Sequence, residues 1–430
     1  MESRKNPTLS GRQSTFTRRN LLKGAAALTA AASVPQALGQ QPTGAPSGTV
    51  WLYISTYTGM PGAGGNGQGI YLCSLSLSTG QLSVVRLVAP ALAATGTSPS
   101  TASPSTIALD PTRTRLYAGN EYGPPGAVSA YSINRLTGDL TLLNGQPAVG
   151  SPAHVSVDHQ GKYLFAAEYL GGFFEVFPIM ADGSLGPVVF RQQDLGNVGP
   201  TMAPNAPPGS FAISAHDGPN GHPHQMEADP SNQWVLGADA GQDRIYVWKL
   251  NVGGNPPLTP AAKPFVNAPP GDGPRHFAFH PNGIWVYSIQ EEASTIMFWL
   301  FDPATGNLTP EQIIPSVPPG FAGTNFASEI RVSDDGNHVY GANRLNDTIG
   351  VFSIGPSGRR PDAGMLTPVS HASMLGDYPR TFAIDPSGQF MAVANQRADN
   401  ITTFRVTDGT LAFTGNFTPV GSPSGMAFLI

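Results

Sequence analysis

Along most of the chain, short runs with apolar residues at alternate positions are punctuated by Gly, Pro, Asp and Asn. That is the pattern of half-buried strands joined by tight turns. The clearest instance is Pro274 to Glu292, PRHFAFHPNGIWVYSIQEE. It reads as an alternating strand with Phe277 and Phe279, a His-Pro-Asn-Gly turn, and a second apolar strand from Trp285 to Ile289 that ends on two carboxylates. A hairpin folds its ends together, so Arg275 and His276 should meet Glu291 and Glu292 at one rim. Aligned on Pro274, six more segments begin alike: PSTIALDP from Pro104, PAHVSVDH from Pro152, PHQMEADP from Pro223, ASEIRVSD from Ala327, PRTFAIDP from Pro379 and PSGMAFLI from Pro423. Each has apolar residues at the third and fifth positions after the anchor. All but the last run on into a second strand (RLYAGNE, YLFAAEY, WVLGADA, WVYSIQE, HVYGANR, FMAVANQ) and a third, and most into a fourth that starts with Leu after a TG, DG or SG turn.

Four antiparallel strands recurring at about 40 to 50 residues predict an all-β chain folded as a β-propeller, each blade covering the apolar face of the next. The last segment has no second strand behind it, whereas WLYISTY near residue 51 is a second strand lacking a first. Pairing the two completes a seventh blade and closes the ring without free edges. The expected organisation is a leader at 1–39, a linker at 40–48 and a seven-bladed propeller at 49–430. The interval between about Gly183 and Gly221, rich in Pro, Gly, Asn and Ala, is too long for a turn and should lie over one mouth of the ring.

Composition agrees with this reading. Gly (51) and Pro (42) together make roughly a fifth of the 430 residues, which suits short strands and turns better than long helices. At 40% hydrophobic and 12% charged the chain can bury a large core. With 23 Lys+Arg and a net charge of -5 there is no basic stripe, so nucleic acid is not an expected partner. One cysteine, Cys73, excludes an intrachain disulfide and a cysteine-based zinc site. Residues 14 to 39 pair Arg18 with Arg19, follow them with an apolar run containing Lys23, and leave by the small-residue stretch Ala37-Leu38-Gly39. This layout resembles a twin-arginine export signal; the run is short of the roughly 20 residues a spanning helix needs, so no membrane association is expected once it is removed.

In a propeller the first strand of each blade lines the central channel, and its start shares a face with the turn between the second and third strands. The anchors therefore deliver Thr106, His154, His224, Arg275, His276, Glu329 and Arg380 to one mouth. The ends of the second strands add Asn120, Glu121, Glu168, Asp239, Glu291, Asn343, Arg344, Asn395 and Gln396. Charged, amide and imidazole groups are concentrated here in a chain otherwise poor in charge. Other polar residues have structural readings. Asp110, Asp229, Asp335 and Asp385 suit turn formation, and Asp243, Arg244 and Asp347 suit hydrogen bonding at blade edges. Glu168 and Asp239 suit backbone amides as well as a substrate, and His159 and His280 fall in turns where solvent exposure is expected. His222 and His224 should point to opposite sides of an extended segment, and no third ligand has matching spacing, so neither a metal nor a cofactor is expected.

The phrases HPHQMEADP, GADAGQDRIYVW, GPRHFAFHPNG, WVYSIQEE, ASEIRVSDDGNHVYGANR and YPRTFAIDPSGQFMAVANQ together resemble the seven-bladed propeller lactonase family, which includes bacterial 6-phosphogluconolactonases and fungal carboxymuconate-lactonizing enzymes. The resemblance spans about Val50 to Ile430. It implies a lactone-handling site built from His224, Arg275, Glu291 and Arg344, with His154, His222, His276, Glu329, Arg380, Asn343 and Asn395 as substrate contacts. The family usually has Asn where Gln290 stands, and Glu292 adds a second carboxylate; Glu291 is the preferred one of the two. Opening a lactone requires an activated water and a stabilised oxyanion. His224 or Glu291 suits the base, and Arg275 and Arg344 suit a substrate carboxylate or the oxyanion. The same groups in reverse would serve a cycloisomerase, and a scattered set would indicate a non-catalytic periplasmic binding propeller. No G-x-S-x-G nucleophile competes, and the Gly-rich stretch 60–69 lacks the Lys-Ser/Thr of a phosphate loop. Export points away from a phosphorylated cytoplasmic sugar and towards an unphosphorylated sugar lactone or another small lactone, handled by a periplasmic or secreted monomer.

Overall fold

The computed structural model describes residues 44–59, 65–92, 100–194, 200, 202–211, 221–358 and 360–430. The expected leader at 1–39 and the first part of the linker lie outside the described residues. No described residue is helical, and the strands form seven four-stranded antiparallel sheets. The alternating runs become strands where the sequence places them. In one blade, Pro274–Phe279 pairs with Trp285–Gln290, which pairs with Thr295–Asp302 and then with Asn307–Pro315. Numbered around the ring, blades two to seven begin with Pro104–Leu109, Ser151–Val157, Pro223–Ala228, Pro274–Phe279, Ala327–Val332 and Pro379–Ile384. Blade one is composite. Its first strand is the C-terminal Pro423–Leu429, paired antiparallel with Thr49–Thr56 from Trp51↔Leu429 to Thr56↔Pro423. The ring therefore closes as expected.

Alternation explains where the core sits. Each sheet turns one apolar face to the preceding blade and one to the next, and the buried clusters straddle blade boundaries. Trp234, Leu236 and Val247 of blade four pack with Phe277, Val286 and Trp299 of blade five. Trp285, Tyr287 and Phe298, on the other face of blade five, pack with Val339 and Phe352 of blade six. Burying large rings on both faces of every sheet gives the ring its stability, since a fully buried aromatic typically contributes about 3 to 5 kcal/mol against truncation to alanine.

Polar bonds fasten neighbouring blades on the face that carries the turn between second and third strands. Asp243, held at φ 53°, accepts from Gly271 N (2.7 Å) and Gly273 N (2.9 Å) just before blade five. Asp347 accepts from Tyr378 N (2.9 Å) and Asp399 from Ser422 N (2.8 Å) in the same manner. At the opposite end of the strands, Asp229 and Asp385 close the first hairpin by accepting backbone N–H groups. His280 takes that position in blade five, and it is buried rather than exposed. Its Nδ1 accepts from Asn282 N (3.0 Å), which leaves Nε2 to donate to Gly336 O of blade six (2.9 Å), while the ring packs on Trp285.

Candidate active site

The mouth is built by a repeated irregularity. In blades two, four, five and seven the anchor proline pairs with the last residue of the second strand, in blade three Pro152 pairs with Glu168 before that strand ends at Leu170, and in all five the register then slips by one, as between Pro274 and His276. Ala327 of blade six shows a wider slip, to Ile330. A bulge re-aims side chains, and here consecutive residues, Arg275 and His276, both reach the channel. In blades five, six and seven the residue after the second strand continues the pairing to the residue before the anchor: Glu291 N donates to Gly273 O, Arg344 N to Phe326 O and Gln396 N to Tyr378 O. Those residues are held over the mouth.

The last residues of the second strands, one position earlier, have a different role. Asn343 and Asn395 are both fully buried. Asn343 accepts from Ser316 Oγ (2.7 Å) and Asn325 Nδ2 (3.0 Å) and donates to Ser316 O (2.8 Å). Asn395 donates to Asn400 Oδ1 and Thr402 Oγ1, both at 3.0 Å. Expected among the substrate contacts, these two side chains instead tie strands together. Glu168 and Asp239 occupy the same register position and bond backbone amides, Gly150 N and His222 N respectively.

Glu291 is the centre of the charged group. One carboxylate oxygen lies 3.2 Å from Arg275 Nε of its own blade, and the other is bonded by Arg344 Nη2 of blade six. Burial works against its ionisation, but Arg344 and Arg275 outweigh burial and hold its carboxyl below the usual range. Arg275 is itself enclosed, 1% exposed, and donates to Ser328 O at 2.5 Å. Burial, helped by Arg344, pulls the Arg275 guanidinium down to about 9. Arg344 lies over Phe326 and Tyr378. Glu292 is buried beside Glu291 and donates its N–H to Asp272 O.

A second group crosses blades four to seven. His224 Nδ1 is 3.1 Å from His276 Nε2, and His276 Nδ1 is 3.4 Å from Glu329 Oε2. Glu329 also accepts from Thr381 Oγ1 (3.0 Å) and faces Arg331 Nε at 3.3 Å. His154 stands edge-on to His276, their centroids 5.5 Å apart. Burial, reinforced by neighbouring cations, keeps His154 and His224 well below the usual imidazole range and His276 at about 4, so all three are neutral at neutral pH. Burial also opposes ionisation of Glu329, but Arg331 and His276 more than compensate and hold it as carboxylate. His154, His276, Glu329, Arg331 and Thr381 line a cavity of about 60 Å³ together with Arg275, Arg380 and Thr106, and His224 reaches this group through His276. No group of three or more His, Cys, Asp or Glu among the described residues is placed to hold a metal ion.

Arg380 is the least committed cation. It makes no hydrogen bond to a described residue; Glu121 Oε2 is 3.8 Å from its Nη2 and the Tyr57 ring lies 4.9 Å below. Glu121 is already bonded by Tyr57 Oη (2.5 Å) and Ser105 Oγ (2.6 Å). His222 Nδ1 donates to Tyr169 O (2.9 Å) and the ring stacks on that of Tyr169, which His224 also meets edge-on. The two histidines thus face one ring, not opposite sides, because the bulge after Pro223 turns the strand. Sequence reading passed over Tyr57, Tyr169, Arg331 and Tyr378. Tyr57 and Tyr169 share the register of Glu121, Glu291 and Arg344, and that alignment would have found them. The interval after Gly183 does reach the rim where it is described: Gly323 N donates to Pro208 O (2.7 Å), and Asn205 Nδ2 is within 3.2 Å of Asp272.

With this geometry in view, comparison with known proteins places the chain. Residues 51–428 match the family described as lactonase, 7-bladed beta-propeller, and residues 15–35 match the twin-arginine translocation signal, which marks the chain for periplasmic or extracellular export. It is 32% identical over 353 residues to the 6-phosphogluconolactonase of Bacillus subtilis, covering 82% of this chain and 90% of that one. Identity to the 6-phosphogluconolactonase of Serratia proteamaculans is 30% over 300 residues, 70% of this chain and 80% of that one. Among solved structures, the periplasmic gluconolactonase of Pseudomonas aeruginosa superposes with a TM-score of 0.76 at 27% identity, covering 89% of this chain and 99% of that one. A seven-bladed ring closed by its own C-terminal strand, matched almost end to end in its mature part, makes this chain a member of the seven-bladed β-propeller lactonase family.

Proposed function

We propose that this lactonase opens an unphosphorylated sugar lactone at the propeller mouth, with His224 as general base and Arg380, beside Arg344, as the cation that meets the developing oxyanion. The observation that carries the reading is the division of labour among the charged groups. Glu291 is clamped between two guanidiniums, and a carboxylate so stabilised is a weak base; His224 is neutral and holds a lone pair. Water loses a proton to His224 as its oxygen adds to the lactone carbonyl carbon. The tetrahedral intermediate then expels the ring oxygen, which takes the proton back, so that His224 ends as it began and a hydroxy acid leaves.

Glu291 holds Arg275 and Arg344 at fixed positions and so sets the potential of the mouth without touching the reacting atoms. A fixed guanidinium of this kind contributes roughly 3 kcal/mol to transition-state stabilisation in a site that excludes water. Arg275 is enclosed and Arg344 is bonded to Glu291, whereas Arg380 makes no hydrogen bond to a described residue, and one uncommitted guanidinium favours a neutral lactone over one carrying a phosphate dianion. Export supports the same choice of substrate. The mature unit is taken as 49–430, released from a leader ending near residue 39, and as a monomer, because its edges are spent on closing the ring.

The test is acid release from δ-gluconolactone, corrected for spontaneous hydrolysis, by wild type, His224→Ala and Arg380→Ala. Loss of about 100-fold or more in both variants is the expected result. Three equal rates would return the chain to a binding role.

A further inference from the structure

We propose that His276 and Glu329 are positioning residues for His224: the three form a relay across blades four, five and six that fixes the basic nitrogen of His224 and receives the charge when it accepts a proton. The inference rests on His224 being the base. It follows from the order of the hydrogen bonds. An ionised carboxylate can only accept, so Glu329 requires the proton of His276 to sit on Nδ1, 3.4 Å away. Neutral His276 then presents a lone pair at Nε2. Its nearer neighbour is His224 Nδ1 at 3.1 Å, which carries its own proton and donates it there, with Arg275 Nη1 a second, longer donor at 3.5 Å. By elimination the lone pair of neutral His224 is on Nε2. One carboxylate thus dictates the tautomers of two rings.

The surroundings give the charge a direction. His224 faces Tyr169, Arg275, His276 and Arg380, so an imidazolium there is repelled by two guanidiniums. His276 also lies near Arg275, His154 and Arg331, but Glu329 stands against it. When water delivers its proton to His224 Nε2, transfer of the Nδ1 proton to His276 Nε2 leaves His224 neutral and puts the positive charge next to Glu329. On product formation the protons return along the same two bonds, and nothing is gained or lost overall.

Two measurements test the relay. In wild type labelled with 15N at histidine, the ring nitrogens of His224 should report protonated Nδ1 and unprotonated Nε2; the reverse tautomer overturns the proposal without reference to any variant. For Glu329→Gln, kcat on δ-gluconolactone should fall about 100-fold with KM changed less than about threefold. The acid limb of its pH–rate profile should move about one unit lower, because the carboxylate that favours the imidazolium is gone. A purely structural role would lower thermal stability and leave the limb in place, which counts against the relay. If His224→Ala keeps wild-type turnover, the base assignment itself falls; if His224→Ala is inactive while Glu329→Gln matches wild type in kcat and pH profile, the relay alone falls.

Discussion

Arg275 Nε lies 3.2 Å from Glu291 Oε2, and both side chains are buried where the first strand of blade five begins and the second ends. With Arg344 bonded to the other oxygen, one carboxylate neutralises cations from two blades. Removing one partner of a buried pair strands the rest. Glu291→Gln should therefore destabilise the fold by about 3 to 5 kcal/mol, while a triple replacement by apolar residues of similar size should restore much of that. Urea unfolding curves of the three proteins check this.

Arg275 and Arg380 should separate stability from catalysis. Arg380 has no hydrogen bond to a described residue, so Arg380→Ala should melt close to wild type yet lose about two orders of magnitude in kcat/KM on δ-gluconolactone. Arg275→Ala removes the hydrogen bond to Ser328 O and the ion pair with Glu291 and should lower the melting temperature as well. Equal melting and equal rates for the two variants would contradict the assignment.

Stability should fall on both sides of neutrality. On the acid side, His276 drops from 6.5 in the unfolded chain to about 4 in the fold, and Glu291 and Glu329 are also depressed. A depressed group contributes fully above its unfolded value and loses that contribution as pH falls through the folded one, so stability should erode from about pH 6.5 downwards. On the alkaline side, burial and Asp239 raise Asp194 to about 9, and burial and Glu175 raise Glu168 to about 10. A raised carboxyl favours the fold below its unfolded value and loses that advantage as pH rises to the folded one. Asp194→Asn should accordingly flatten the decline in melting temperature between pH 7 and 9. An unchanged slope would show that Asp194 is not the group behind the decline.

Ring closure is open to a truncation test. Pro423–Leu429 lies between the channel and Thr49–Thr56, whose Leu52, Tyr53 and Ile54 are completely buried. A chain ending at Gly421 exposes that strand and its edge. It should lose cooperative thermal unfolding and bind a hydrophobic dye; a sharp wild-type melt would show that the ring does not depend on closure.

Strand alternation has period two and is a local property, so the amino-acid sequence by itself determined the blades, their number and the composite blade at the closure. The anchor proline also marked where each channel strand begins, which was enough to bring Arg275, Glu291 and Arg344 to one mouth. Tertiary structure alone decided the rest, because a shift of one residue reverses which way a side chain faces. The bulge after each anchor turns Asn343 into the sheet and holds Arg344 over the mouth, and it brings His222 and His224 to the same tyrosine. His280 reads as a turn residue in its own blade and is buried because blade six supplies Gly336 O against its ring. The contacts among His224, His276 and Glu329 join three separate blades; they exist because the ring curves those strands towards one axis, and no local pattern records that curvature.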